Sequence, residues 1–262
     1  MAKATELTKK FNETIECLID AIESEQVTDE LNAYYKQAAK FTHYSLRNQV
    51  LIMMQDPKAT QVAGYKAWNK FDRYVMKGEH GIGILAPHTY TAANNKGVDE
   101  THVGFHGTTV FDVRQTDGEP LIDIGHVDGD EGEDLYDHLK TYGESLGMQV
   151  TLADDLGVVS GQCTKKTIEV KESLSMQHRI GVLAHEIAHK LSGHHDSDKA
   201  ADMMEWEAET ISYVVCNHFG VKNKAPQYLR SWGATRDGLK ESLSAISKIS
   251  GQIITGMKTE EA

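Results

Sequence analysis

No apolar run in this 262-residue chain approaches the roughly 18 residues needed to cross a bilayer, so a membrane-spanning protein is not expected. The opening segment, MAKATELTKKFNETIECLIDAI, has no basic stretch followed by an apolar core and a small-residue cleavage site, which argues against a secretory signal. Cysteine is scarce as well. Cys17, Cys163 and Cys216 are far apart, odd in number and without a CxxC pair, which excludes a disulfide framework and a cysteine-based zinc site. Three isolated thiols suit a reducing compartment, and the expected location is the cytoplasm. Basic charge is in deficit: 27 Lys and Arg face 39 Asp and Glu, a formal net charge of −12. A uniformly cationic nucleic-acid binder is therefore excluded.

What is present suffices for folding. With 40% hydrophobic residues the chain is not disordered, and its length fits one large domain or two small ones. Charge is unevenly spread. Between Lys36 and Pro87 there are eight Lys or Arg against three acids, whereas IDIGHVDGDEGEDLYD (122–137) carries seven acids and no Lys or Arg. The acidic stretch reads as a linker, which predicts two modules, 1–125 and 126–262, of α+β class.

Hydrophobic spacing predicts an amphipathic helix from Glu6 to Glu23 and further helices over Thr28–Ala39 and Ser45–Gln55, the last ended by Pro57. A short helix is expected in AGYKAWNKFDR, then strand, glycine turn and strand in YVMKGEHGIGILAP. Residues 91–101 read as a polar loop, followed by a strand around Val110–Val113 and a turn at Asp117–Gly118. The second module is expected to hold a helix (Asp134–Leu146), a strand (Met148–Leu152), a hairpin (Gly157–Val170) and two long helices. A final helix should bury Leu239, Leu243, Ile246, Ile249 and Ile253.

The stretch GVLAHEIAHKLSGHH contains His185, Glu186 and His189 in HExxH spacing. Residues four apart on a helix project from one face, so both imidazoles can reach one metal ion at about 2.0–2.1 Å. Glu186 lies about 100° round, placed to take a proton from metal-bound water. A chance match on a helix is the competing reading. Against it stands the apolar setting of Ile180, Val182, Leu183, Ile187, Ala188 and Leu191, among which buried His and Glu need partners.

The third ligand is open among three residues. His195 sits six positions after His189, where an HExxHxxGxxH protease has its third histidine, but Ser192 occupies the place of the required glycine and the glycine is Gly193. In MEWEAETISYVV, Glu205 and Glu209 lie one helical turn apart. Glu205 is favoured as ligand, with Glu209 as an outer carboxylate or the alternative ligand. Glu207 points elsewhere and reads as a solvated surface charge. Tyr213, further along the helix, could donate to a developing oxyanion; the plainer reading is packing.

In the first module Tyr44, Tyr65, Trp68, Phe71 and Tyr74 interleave with Arg47, Lys66, Lys70, Arg73 and Lys77. Aromatics stack on unpaired bases and cations follow phosphates, so Tyr44, Arg47, Lys66, Trp68, Lys70, Arg73 and Lys77 are candidate contacts to single-stranded nucleic acid. The competing reading puts the aromatics in a small core.

Tyr44-Ser45, Asn48, Gln55, Pro57, Ala59, Gly64, Trp68, Arg73, Lys77-Gly78-Glu79, Gly81, Ile84 through Ala86-Pro87, and VFDVRQTDGEP (110–120) together resemble the single-stranded-DNA-binding N-terminal domain of ArdC-type antirestriction proteins. The second half, with His185, Glu186, His189 and then Glu205, Ala208 and Glu209, is similar to ImmA/IrrE-type zinc metallopeptidases of the zincin kind. The two resemblances span about residues 6–220. They imply one Zn2+ cofactor, a single-stranded DNA partner and a protein or peptide substrate. The function implied is a metalloendopeptidase tied to antirestriction or to cleavage of a DNA-associated protein. The alternative is a non-proteolytic DNA-binding antirestriction factor in which zinc is structural.

Overall fold

Leu7, Ile15, Leu18 and Ile22, spaced to share one face, fold as α1 (Ala4–Glu23) with that stripe buried. The structure, a computed structural model, describes residues 4–23, 29–93, 99–120, 132–223 and 235–257. The chain divides into two compact units: Met1–Cys17 with Arg47–Asp123, and Leu18–Leu46 with Ile124–Ala262. The boundary expected at 125/126 and most of the acidic stretch lie outside the described residues. Segment Leu18–Leu46 groups with the second unit, not with the residues that follow it in sequence.

In the first unit, α3 (Leu46–Gln55) presents Leu51 to Leu7 and Leu85, with Ala4 and Phe11 packed alongside. Each such buried leucine contributes about 1.5–3 kcal/mol. An antiparallel sheet in the order β1 (Val62–Gly64), β4 (Asp99–Asp112), β3 (Ile82–Ala93) adjoins this cluster through Leu85. Strand β3 is an edge, and unpaired backbone groups at an edge need partners. Two α3 carboxamides supply them. Asn48 donates to the Leu85 carbonyl (2.9 Å) and accepts from its N–H (3.0 Å). Gln55 makes the same pair with Gly83, at 2.8 and 2.9 Å.

Two expectations for this unit are corrected. Residues 91–93 and 99–101, expected in a loop, continue β3 and β4, with Thr91 opposite Thr101 and Ala93 opposite Asp99. This end of the hairpin is exposed at most of its positions, so its sequence shows none of the apolar alternation that marks a half-buried strand. Asp117–Gly118, expected as a turn, lies in β5 (Thr116–Gly118), paired with β2 (Arg73–Val75). Gly118 serves a close approach: a Cβ there would sit 2.3 Å from the Asp72 carbonyl oxygen. Between β1 and β2 the expected short helix forms as α4 (Tyr65–Trp68) and a 3-10 turn, Asn69–Phe71.

The second unit contains α2 (Asp29–Lys40), α5 (Gly132–Ser145), and a sheet of β6 (Gln149–Ala153), β7 (Gly161–Cys163) and β8 (Thr167–Lys171). It is completed by α6 (Met176–Ser192), α7 (Ala201–His218) and α8 (Arg236–Gly256). Glu133 and Asp134 fall in the first turn of α5, where acids favour the helix dipole. The sheet order is β6-β8-β7, with β6 parallel and β7 antiparallel to β8, so the expected hairpin is present. Helix α6 packs against α7, and α7 against α8 and α2. Ser212 donates to the Gly181 carbonyl at 2.7 Å and ties α7 to α6. The α8 stripe of Leu239, Leu243, Ile246, Ile249 and Ile253 is buried throughout. None of the described helices is long and apolar enough to cross a membrane.

Candidate metal centre and nucleic-acid interface

The apolar face of α6 holds the HExxH helix in the core, and α7 brings a carboxylate against it. His185 Nε2 and His189 Nε2 are 3.0 Å apart. Glu205 reaches both, with Oε2 3.3 Å from His185 Nε2 and Oε1 3.4 Å from His189 Nε2. These three residues are the group among the described residues whose ligand atoms converge, all within 4.8 Å of one another. A tetrahedral ion with bonds of about 2.0–2.1 Å separates its ligand atoms by roughly 3.3–3.4 Å. The observed spacings fit that polyhedron. Two imidazoles and one carboxylate are also a donor set suited to zinc and other first-row divalent ions.

The electrostatics agree with a cation-binding centre. The neighbouring imidazoles of His185 and then His189 hold the Glu205 carboxyl far below the usual range, against partial burial. Burial opposes a charge on His185, but its hydrogen bond to Glu205 and the charges of Glu186, Glu205 and Glu209 outweigh it and raise its pKa. Glu186 is buried, which pushes its carboxyl above the ordinary value. Strand β7 lies close over it: a Cβ on Gly161 would come within 2.9 Å of Glu186 Oε1.

The other candidates are outside this converging group. Glu209 makes no hydrogen bond or ion pair with either imidazole among the described residues and acts on His185 through its charge. His195 is not in the group. Gly193 ends α6 in the left-handed conformation (φ 67°), and the following 3-10 turn, His194–Asp196, directs His195 to Cys163, with Nε2 3.3 Å from Sγ. Tyr213 is buried, its ring edge-on to Tyr35 with centroids 6.2 Å apart, the contact expected of a packed tyrosine.

Glu207, expected as a solvated charge, is 0% exposed. Its Oε2 lies 2.9 Å from His194 Nε2 and its Oε1 accepts from Lys199 Nζ at 2.5 Å. Burial would raise its pKa, but these hydrogen bonds outweigh it and hold the carboxyl low. Residue spacing gives no reason to single out His194. It is visible only once Gly193 turns the chain back onto α6.

The nucleic-acid candidates divide. Lys66, Lys70 and Lys77 are exposed, beside Tyr65, Phe71 and Tyr74, each more than half exposed. Trp68 is buried, and its indole donates to the Phe111 carbonyl at 3.0 Å, so it cannot stack on a base. Arg73 is spent on the fold, donating to Thr116 Oγ1 at 2.8 Å and to the carbonyls of Thr116, Gly118 and Glu119. Arg47 lies over the rings of Phe11 and Phe105. Tyr44 belongs to the second unit, half-buried against Phe41. One aromatic array was missed in sequence: His106, His88, Tyr90 and His102 line one face of the β3–β4 hairpin, neighbouring ring centroids 5.4–5.9 Å apart.

With this geometry in place, the comparisons with known proteins fall on both units. The chain is similar to the ArdC antirestriction protein from plasmid R388. The metal-free structure of that protein aligns with a TM-score of 0.59 and 16% identity over 94% of this chain and 97% of that one. Its Mn(II)-bound structure aligns with a TM-score of 0.54 and 17% identity, over 96% and 99%. An uncharacterized protein of Bacillus anthracis is 24% identical over 264 residues, covering 80% of this chain but 44% of that protein, so the chain spans less than half its length. Residues 3–119 match the family model of the N-terminal domain of anti-restriction factor ArdC, and nearly the whole chain has the fold of the R388 protein.

Proposed function

We propose that the chain is an antirestriction factor of the ArdC kind, which binds single-stranded DNA with its first unit and holds one divalent metal ion in its second. The observation that supports this most is the match of residues 3–119 to the ArdC N-terminal domain, joined to a shared fold along almost the whole chain. His185, His189 and Glu205 would hold the ion. Zinc is the expected ion on ligand chemistry, and manganese is the second candidate because an ArdC relative has a Mn(II)-bound form. On the first unit, Tyr65, Phe71 and Tyr74 offer faces on which bases can stack, and Lys66, Lys70 and Lys77 offer charge to phosphates. Because the molecule is anionic overall, attraction from such a local patch should fall steeply with salt.

A second reading, hydrolysis of a peptide bond in the manner of ImmA/IrrE-type zincins, is favoured by one observation. Glu186 is buried beside the ligand imidazoles, with its pKa raised. A bound divalent ion would supply a Lewis acid for a carbonyl and lower the pKa of water. Glu186 would take the proton from that water, a role suited to a carboxylate of raised basicity.

One experiment separates the readings. Transfer of an unmodified plasmid into a restricting host is measured with the parent chain, with Glu186→Gln, and with Lys66, Lys70 and Lys77 all changed to Gln. The expected result is protection by the parent and by Glu186→Gln, and its loss in the triple variant. Loss of protection with Glu186→Gln, metal still bound, would move the function to the peptidase reading. No protection by the parent would contradict both forms of the antirestriction proposal.

A further inference from the structure

Behind the three converging ligand residues lies a buried hydrogen-bonded chain that none of the roles above uses. His189 Nδ1, the ring nitrogen not directed at His185 and Glu205, is 2.8 Å from His194 Nδ1. His194 Nε2 is 2.9 Å from Glu207 Oε2, and Lys199 Nζ donates to Glu207 Oε1 at 2.5 Å. His194 is 6% exposed and Glu207 0%, so water does not replace these bonds cheaply.

Their direction follows from which groups can donate. An ionised carboxylate only accepts, so His194 donates to Glu207 from Nε2–H. A neutral imidazole with its proton on Nε2 presents a lone pair on Nδ1, and His189 must then donate its own Nδ1–H. That leaves the lone pair of His189 on Nε2, facing His185 and Glu205. Reversing the chain would set a bare Nε2 of His194 against a carboxylate oxygen at 2.9 Å.

We propose that Glu207, paired with Lys199, is a positioning residue for the metal site and acts through His194 to fix His189 in the tautomer whose Nε2 can bind an ion. The local fold supports the role. Gly193 turns the chain so that His194 lies back along the last turn of α6, and α7 carries both Glu205 and Glu207, one toward each side of the centre. Imidazoles that bind metals commonly donate their other nitrogen to an acceptor, and losing that acceptor weakens affinity about 10–100-fold. In this chain the acceptor is a second imidazole, itself held by a carboxylate.

The proposal rests on the metal-binding reading, and its test keeps the two apart. Zinc affinity of the full chain is measured by competition with a chromogenic chelator, beside the visible spectrum of the cobalt(II)-loaded protein and the melting temperature of the metal-free form. His194→Leu removes the acceptor, whereas His194→Asn sets a carboxamide oxygen about where Nδ1 stands. The expected result is zinc binding weakened about 10–100-fold in His194→Leu with an altered cobalt spectrum, and largely restored in His194→Asn. A parent that binds zinc together with a His194→Leu of equal affinity, or equal loss in both variants, would overturn the relay alone. A parent that binds no zinc would remove the site and the proposal with it. Should His194→Leu not fold, nitrogen-15 spectra of the parent's imidazoles decide: a proton on His194 Nε2 and on His189 Nδ1 supports the relay, and a proton on His194 Nδ1 overturns it.

Discussion

Two imidazole nitrogens 3.0 Å apart with no proton or cation between them face each other lone pair to lone pair. Without metal, a proton can fill that role, and His185 is disposed to carry one: burial opposes its charge, but the hydrogen bond to Glu205 and the charges of Glu186, Glu205 and Glu209 raise its pKa. A folded pKa above the unfolded value of about 6.5 contributes stability that is fully present below the unfolded pKa and lost as pH rises through the folded one. A metal ion competes for the same lone pairs and needs them deprotonated. Between about pH 6 and 8 the metal-free chain should therefore lose melting temperature, while the gain from added zinc should grow. A zinc-induced gain that is the same at both pH values would contradict this. Legibility at this scale follows the helix. His185 and His189 share a face by spacing alone, whereas Glu205 is only favoured over Glu209 and His195 until α7 brings its carboxylate to both imidazoles. Glu207 is not legible: two positions after Glu205, its spacing predicts a solvated face, but α7 is packed by α6, α8 and α2 and Glu207 is buried.

Among the elements, α3 shows a helix completing a sheet edge with side-chain amides. Asn48 and Gln55 are seven residues apart, two helical turns, and meet Gly83 and Leu85, two residues apart on β3. Asn48→Ala would leave both the N–H and the carbonyl of Leu85 without this partner, a cost of about 1–3 kcal/mol. The check is amide hydrogen exchange at Leu85, which should speed up sharply in the variant; unchanged protection would show that the amide pair is not what holds the edge. Helices were legible here because one apolar stripe suffices to mark them, as α8 does with Leu239, Leu243, Ile246, Ile249 and Ile253. The outer part of the β3–β4 hairpin was not. Tyr90, Val103 and Phe105 are all half exposed or more, so no buried face imprints a period on the sequence. The aromatic array on that hairpin was hidden for the same reason.

For the whole molecule, hydrophobic spacing along the chain marks the class, mixed helix and sheet, but not how the elements group. That Leu18–Leu46 groups with residues far along the chain depends on which surface covers the apolar face of α2, and an amphipathic pattern records that a face is covered, not by what. The functional proposal needs the second unit to be a metal-binding unit, and this can be measured directly. Purified full chain is titrated with zinc while bound metal and melting temperature are recorded, beside His189→Ala. The expected result is one ion per chain and, at zinc about 100-fold above the dissociation constant, a stabilisation of about 2.7 kcal/mol, or about 5–10 °C, absent in His189→Ala. A chain that takes up no zinc and melts at the same temperature with and without it would contradict the metal centre on which the proposed role of the second unit depends.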